Sequence, residues 1–306
     1  MDQYFDIIIV GGGPAGLTAA LYAKRAGFST LLLEGGVLGG QAAATPDIEN
    51  WPGTRHISGS DFAANLYEQS RALGAELRLE AATALEAEGA LRRVSTSAGR
   101  YEARCVILAN GVKRRKLGVP GEERLAGRGV SYCATCDGNF FRGKEVAVVG
   151  GGNTALEDAL YLAALCPKVH LIHRRERFTG DAHLVDSVRD VANIRRCMDT
   201  RVLEIQGEAS VSALRLEGPR GAHILPVSGV FAAVGLIPDN EAFAPPLELD
   251  AYGYLQAGCD CRTPLPGVFA AGDTRSKQLR QLVTAAADGA TAAFQAGLYL
   301  HEMQPV

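Results

Sequence analysis

Cys133 and Cys136 stand three positions apart in Ser131-Tyr132-Cys133-Ala134-Thr135-Cys136-Asp137-Gly138. At that spacing a single turn holds two side chains roughly 5–6 Å apart at Cβ, close enough for a disulfide. Such a pair can open and close with little backbone movement, which makes it a two-electron redox device. Cys-x-x-Cys also suits half of a zinc site, but that needs a second pair of ligands. The other close cysteines, Cys259 and Cys261, lie far downstream. Two buried, unreactive thiols are the third reading. Redox exchange leads because of the neighbouring motifs.

Two glycine-rich turns flank the pair. Gly11, Gly13 and Gly16 form G-x-G-x-x-G between a β-branched run at residues 6–10 and an apolar helix start at 17–23. Strand, glycine turn and helix in that order let backbone N–H groups and a helix N-terminus approach a pyrophosphate. A second strand, 30–33, ends at Glu34, whose carboxylate can accept a hydrogen bond from an adenosine ribose. The unit then recurs: strand 146–149, Gly150, Gly152 and Ala155 in the turn, helix 156–164, strand 170–172. Gly11 to Glu34 and Gly150 to His173 are equally spaced, so one unit is used twice. The copies differ where the ribose is read. The first has Glu34 and the second His173-Arg174-Arg175-Glu176-Arg177. A carboxylate repels a 2′-phosphate, whereas guanidinium pairs with it bidentately. An exposed basic turn is the alternative.

Further elements must position these groups. Residues 61–73 have helical periodicity with Gly74 as the stop. Residues 77–104 alternate in short runs, which predicts an antiparallel excursion before the chain returns in a buried strand at 105–111. Residues 113–121 are basic, contain Pro120 and have no apolar period, so they read as a linker. Segments 202–205, 214–216 and 224–227 make a second excursion, and 229–235 closes the second unit. Residues 236–240 form the return linker. A strand over 267–273 ends in Asp273, and in open α/β sheets ligands sit at that edge. An alanine-rich helix over 278–300 ends the chain. The fold class expected is α/β, with two Rossmann-like dinucleotide-binding domains, the second inserted into the first. The boundaries are 1–115 with 241–306, and 116–240.

The chain has 306 residues, enough for two domains. A composition 47% hydrophobic and 21% charged is that of a globular protein. A net charge of −3 gives no reason to expect nucleic acid or an anionic membrane as partner. No apolar run approaches the ~20 residues of a membrane span, and residues 7–10 are too short for a signal peptide. Seven irregularly spaced cysteines argue against a secreted disulfide framework. A cytosolic protein without a metal site is expected, with Cys105, Cys166, Cys197, Cys259 and Cys261 as structural or incidental thiols.

Over essentially its whole length the chain resembles the low-molecular-weight, bacterial-type thioredoxin reductases, which belong to the FAD- and NADPH-dependent disulfide reductases. The resemblance rests on Cys133-Ala134-Thr135-Cys136-Asp137-Gly138, supported by Glu49-Asn50-Trp51-Pro52-Gly53, His173-Arg174-Arg175, and Ala271-Gly272-Asp273 followed by Arg280-Gln281. It implies FAD in the split domain, held by Gly11, Gly13, Gly16 and Glu34, with Gly40, Gln41, Asn50, Gly272, Asp273, Arg280 and Gln281 toward its flavin end. It implies NADPH in the inserted domain, with Gly150, Gly152, Asn153, Thr154 and Ala155 at the pyrophosphate and His173, Arg174 and Arg175 at the 2′-phosphate. Reducing equivalents would pass from NADPH to FAD, to the Cys133–Cys136 disulfide, and by dithiol exchange to oxidised thioredoxin. Cys136 would face the flavin, Cys133 would exchange with thioredoxin, and Asp137 would be the acid/base. A homodimer is implied, as is rotation of the inserted domain about linkers 113–119 and 236–240. The family's pattern continues to Phe and then Arg, whereas here Thr179 follows Phe178. Arg177 is the cation available to compensate, and the loss loosens the preference for NADPH over NADH. A ferredoxin- or NADH-driven disulfide reductase of the same fold, and the flavoprotein of alkyl hydroperoxide reductase, are the rival readings. A flavin-binding sensor would not need Cys133, Cys136 and Asp137 together.

Overall fold

Strand β1 (Gln3–Val10) is central because neither of its faces can meet water. Ile7 and Ile9 belong to one apolar cluster and Ile8 and Val10 to another, so alternate side chains feed two cores. The computed structural model describes residues 3–45, 48–244 and 246–303. After β1 come α1 (Pro14–Arg25), β2 (Thr30–Leu33), α2 (Gly40–Ala43), α3 (Gly59–Ala72), β3 (Glu76–Arg78), β4 (Ala82–Glu88), β5 (Leu91–Thr96) and β6 (Arg100–Leu108). Pro14 opens α1, where its missing N–H costs nothing. Ser58 caps α3 by accepting the Asp61 N–H at 3.0 Å. Gly74, at φ +82°, lets the chain turn away behind that helix.

The chain then crosses through β7 (Val112–Arg114) into β8 (Val130–Ser131), α4 (Ala134–Asp137), β9 (Glu145–Gly150), α5 (Asn153–Ala163), β10 (Lys168–Ile172), α6 (Ala182–Asp190) and β11 (Ile194–Cys197). A meander of β12 (Arg201–Gln206), β13 (Ala213–Gly218) and β14 (Gly221–Pro226) precedes β15 (Gly229–Ala233). The chain returns through β16 (Leu236–Pro238), which pairs with β7, to β17 (Val268–Ala270) and α7 (Leu282–Glu302).

Two compact units result, Met1–Lys113 with Ile237–Val306, and Arg114–Leu236. In the first, β3, β2, β1, β6 and β17 run parallel and β5 and β4 extend from β6 antiparallel. In the second, β11, β10, β9, β15 and β8 are all parallel. Strand β9 repeats the logic of β1, with Val146 and Val148 in one cluster and Ala147 and Val149 in the other.

Three local expectations change. Leu77 lies in β3, a parallel edge strand, and not in the antiparallel excursion. The last strand of the excursion and the buried strand after it are one element, β6. Its first half pairs with β5 and its second half with β17, because β5 begins only at Leu91, with Arg92 opposite Ala103, and leaves the edge beyond that point open. The last helix starts at Leu282, not 278, since Gln281 is its N-cap and closes a capping box with Thr284.

The glycine turns are the tightest points. A Cβ on Gly16 would fall 1.8 Å from the Gly11 carbonyl oxygen, whereas one on Gly13 would meet nothing within 4 Å. Gly16→Ala should therefore cost about 1–3 kcal/mol through overpacking. Gly13→Ala, at an N-cap with φ −77°, should cost less than about 1 kcal/mol. Urea unfolding of the two variants measures this, and equal losses would contradict the packing argument.

Candidate active site

Cys133 and Cys136 are joined as a disulfide with their Cα atoms 5.3 Å apart, and both are half-buried. Cys133 is the extended residue before the single turn α4, and Cys136 lies inside that turn. A buried serine fixes the turn from below. Ser131 Oγ accepts the Cys133 N–H at 3.1 Å and donates to Asp137 Oδ2 at 2.5 Å. The carboxylate following Cys136 is thereby held against the segment that carries both sulfurs. Glu122 steadies the approach, accepting from the Tyr132 hydroxyl at 3.0 Å and from the Leu117 and Gly118 N–H groups. Sequence reasoning assigned no role to Ser131 or Glu122, although both lie within a few residues of motifs it used.

The other thiols have no such setting. Burial pushes the Cys105 and Cys261 thiols up to about 12, which keeps them protonated and unreactive. Among the described residues no group of three or more His, Cys, Asp or Glu side chains is placed to hold a metal ion. No described helix is long and apolar enough to cross a membrane.

In the same unit the turn between β9 and α5 opens onto a cleft of about 590 Å³. Gly150, Gly152, Asn153 and Thr154 form one wall and His173, Arg174 and Arg175 another. Ala155, the first fully buried residue of α5, packs behind the turn. The second wall is folded back onto the first. Thr179 N–H donates to the Gly151 carbonyl at 2.7 Å, and the Asn153 side chain exchanges two hydrogen bonds with Asp181. His173 is buried, and its ring occupies the space a Gly151 Cβ would need. Its Nε2 lies 2.9 Å from the Arg177 carbonyl, which can only accept, so that nitrogen carries the proton. Burial lowers the His173 pKa, which leaves the ring neutral. His173 thus shapes the turn that carries Arg174 and Arg175. Arg177 is exposed and is not among the residues lining the cleft. Arg115 and Lys116, from the segment read as a linker, and Arg201, just before the strand expected at 202–205, line it too. Only folding reveals them, since both segments lie outside the His173-Arg174-Arg175 motif in sequence.

In the first unit Glu34 accepts the N–H groups of Gly12 and Gly36, both at 2.6 Å. It therefore stands beside the second glycine of its turn, as His173 stands beside Gly151 in the other unit. Gly11, at φ +105°, lets β1 end against Ala109, and a Cβ on Gly40 would lie 3.5 Å from the Gly13 Cα. The side of Gly13 stays open above the N-terminus of α1, a fitting seat for a phosphate. Gln41 donates to the Val112 carbonyl, and Asn50 donates to Gln281 Oε1 at 3.1 Å. Trp51 meets Phe62 edge-on at 4.9 Å, which anchors the loop that presents Asn50. Arg280 stacks on Tyr254 at 4.4 Å. Gly272 and Asp273 begin the turn Gly272–Thr274 beyond β17, at the carboxyl edge of the sheet.

A buried ion cluster holds that turn. Asp288, on α7, accepts the Gly272 N–H at 3.0 Å, Arg275 through two nitrogens at 2.9 and 2.8 Å, and Lys277 at 2.9 Å. Lys277 Nζ also lies 3.8 Å from Asp273. Burial by itself would raise the Asp288 pKa, but the hydrogen bonds from Arg275 and Lys277 outweigh it and hold the carboxyl below the usual carboxylate range.

Known proteins share this arrangement. Residues 5–289 match the family described as pyridine nucleotide-disulphide oxidoreductase. The chain is 40% identical over 306 residues to the thioredoxin reductase of Listeria innocua, covering 99% of this chain and 96% of that one. It is 41% identical to a bifunctional thioredoxin reductase/thioredoxin of Mycobacterium leprae, covering 98% of this chain and 67% of that protein. The crystal structure of thioredoxin reductase from Streptococcus pyogenes MGAS5005 superimposes with a TM-score of 0.93 at 41% identity, covering 99% of this chain and 100% of that one.

Replacing Asp288 by Asn would leave Arg275 buried without its counter-charge and Lys277 with only the more distant Asp273, which should cost about 3–5 kcal/mol. A carboxyl with a depressed folded pKa stabilises above its unfolded value and ceases to as pH falls through the folded one. The acid limb of stability below about pH 4 should therefore be shallower in the variant. Urea unfolding at several pH values tests both points, and an unchanged acid limb would remove Asp288 from this role.

Proposed function

The chain belongs to the pyridine nucleotide-disulphide oxidoreductases and within them to the thioredoxin reductases, and we propose from this that it reduces thioredoxin with electrons from NADPH relayed by FAD. It is a disulfide reductase by family. The observation that carries the fuller reading is a Cys133–Cys136 disulfide in the same unit as a cation-lined nucleotide cleft. Relatives named for thioredoxin, one of them fused to it, support that protein as substrate. Neither a ferredoxin-driven enzyme nor a hydroperoxide reductase is favoured by these relatives. Homodimerisation and a cytosolic location belong to the same proposal, on the strength of the resemblance.

The residues present suit both cofactors. In the first unit the open side of Gly13 would take the pyrophosphate of FAD, and Glu34, freed from a backbone N–H, would take its ribose. Asn50, Asp273 and Gln281 would lie toward the flavin, which supplies the two-electron relay when bound. In the second unit Gly150, Gly152, Asn153 and Thr154 would seat the NADPH pyrophosphate at the N-terminus of α5, and Arg174 and Arg175 would pair with its 2′-phosphate.

The chain's own part is thiol and proton chemistry. When the disulfide is reduced the departing sulfur needs a proton, and Asp137, fixed by Ser131, stands next to Cys136 to supply and later remove it. The Cys133 thiolate attacks one sulfur of the partner's disulfide, and the partner's other sulfur leaves as thiolate. Cys136 then attacks Cys133 Sγ, which releases the second partner thiol and restores the Cys133–Cys136 bond. Two electrons move, and two protons complete the partner's thiols. The dithiol and the nucleotide cleft belong to one unit and the FAD cradle to the other, so turnover needs the second unit to present each in turn through the crossings at β7 and β16.

Anaerobic titration with NADPH and, in parallel, NADH tests the reading through flavin absorbance. Bleaching by NADPH should follow a lag while the disulfide takes up the first two electrons. Cys136→Ser should abolish the lag and thioredoxin reduction while leaving the bleaching. No bleaching by either nucleotide would rule out pyridine nucleotide as the donor.

A further inference from the structure

The nucleotide cleft carries more positive charge than its His-Arg-Arg motif supplies. Arg115, Lys116 and Arg201 line it with Arg174 and Arg175, and no aspartate or glutamate does. Lys116 is paired with Glu123 at 2.6 Å, but among the described residues the four arginines have no carboxylate partner. Four uncompensated guanidinium groups around one concavity repel each other, and a bound polyanion removes the penalty.

Backbone connections divide the four between two ends. The Arg115 N–H donates to the Gly235 carbonyl at 3.0 Å, just beyond β15, the strand whose Ala233 abuts Gly150. Arg115 therefore belongs to the end where the pyrophosphate would lie. Arg201 belongs to the other end. The Asp199 N–H donates to the Arg175 carbonyl at 3.2 Å, and the Thr200 N–H donates to the His173 carbonyl at 2.9 Å. The chain entering β12 is thus bonded to the turn that carries Arg174 and Arg175. Asp199 adopts φ +48° there, and Thr200, buried, follows it.

Thr179 is uncharged and so contributes no cation at this end, and its N–H and hydroxyl both donate to the Gly151 carbonyl. Arg177, the compensating cation expected from the sequence, turns its carbonyl toward His173 and does not line the cleft. Building on the NADPH reading above, we propose that Arg201 is a specificity-determining residue that pairs with the 2′-phosphate beside Arg174 and Arg175. A phosphate monoester carries about −1.5 to −2 at neutral pH and offers three acceptor oxygens, enough for three guanidinium groups. Discrimination between NADPH and NADH is then restored by a strand distant in sequence from the basic motif.

The test is calorimetric titration of the flavin-loaded protein with 2′-phospho-ADP-ribose and with ADP-ribose. The unaltered protein should prefer the phosphorylated probe. Arg201→Ala should weaken that probe roughly ten- to a hundredfold and leave ADP-ribose unchanged, the effect of losing one charge-assisted hydrogen bond. Arg201→Lys should recover part of the loss, and Arg115→Ala should weaken both probes alike. If the unaltered protein discriminates and Arg201→Ala does so equally well, the assignment of Arg201 is overturned while the NADPH reading stands. If the unaltered protein shows no preference, the NADPH reading fails and the assignment with it.

Discussion

Both units depend on a close approach between the end of one parallel strand and the carbonyl of the next. A Cβ on Gly11 would fall 2.3 Å from the Ala109 oxygen, and one on Gly150 would fall 2.3 Å from the Ala233 oxygen. Only glycine allows either contact. Because the strand ends meet there, the following turn can curl tightly and the next helix can begin with its N–H groups facing the sheet edge. In the first unit the crowding continues, since Gly16 leaves room for the Gly11 carbonyl and Gly289 of α7 for the Ala15 carbonyl. The second unit has Ala155 at the position of Gly16 and tolerates its methyl within the buried cluster under α5.

On that shared frame the charges diverge. Glu34 and His173 both stand beside the second glycine of their turns, yet one is a carboxylate holding two backbone N–H groups and the other a neutral ring holding a carbonyl. The guanidinium groups that give the second cleft its sign lie outside that position, on the residues that follow His173, on β12 and at Arg115. His173 therefore acts by shape and Arg174 and Arg175 by charge. In the first unit the concentrated charge lies beneath the surface, where Asp288 ties Gly272, Arg275 and Lys277 together and fixes the turn that bears Asp273.

The dithiol is built on less structure than either cleft. A single turn, α4, and the residue before it carry the two sulfurs, and a single hydroxyl, that of Ser131, links the Cys133 backbone to the Asp137 carboxylate. Such bracing ties the Asp137 carboxylate to the same backbone that holds the first sulfur. Glu122 extends the bracing from Tyr132 to Leu117, which lines the nucleotide cleft.

The sequence by itself determined the α/β class and the two Rossmann-like repeats, because both are written in local periodicity and glycine spacing. Strand, turn and helix of each repeat lie within thirty or so residues, the range over which such patterns carry information. The cysteine pair was legible for the same reason, since its geometry is set by three positions of chain. What the tertiary structure decided is everything assembled from distant segments. It joined the last strand of the excursion to the buried strand as β6, because pairing partners and not local pattern end a strand. It put Arg201 and Arg115 in the cleft and left Arg177 outside. It made Asp288 the anchor of a turn more than ten residues before it, where nothing in an alanine-rich helix marks an aspartate as buried. Local sequence specifies which backbone a segment adopts, but which charges converge depends on long-range pairing that no short stretch encodes.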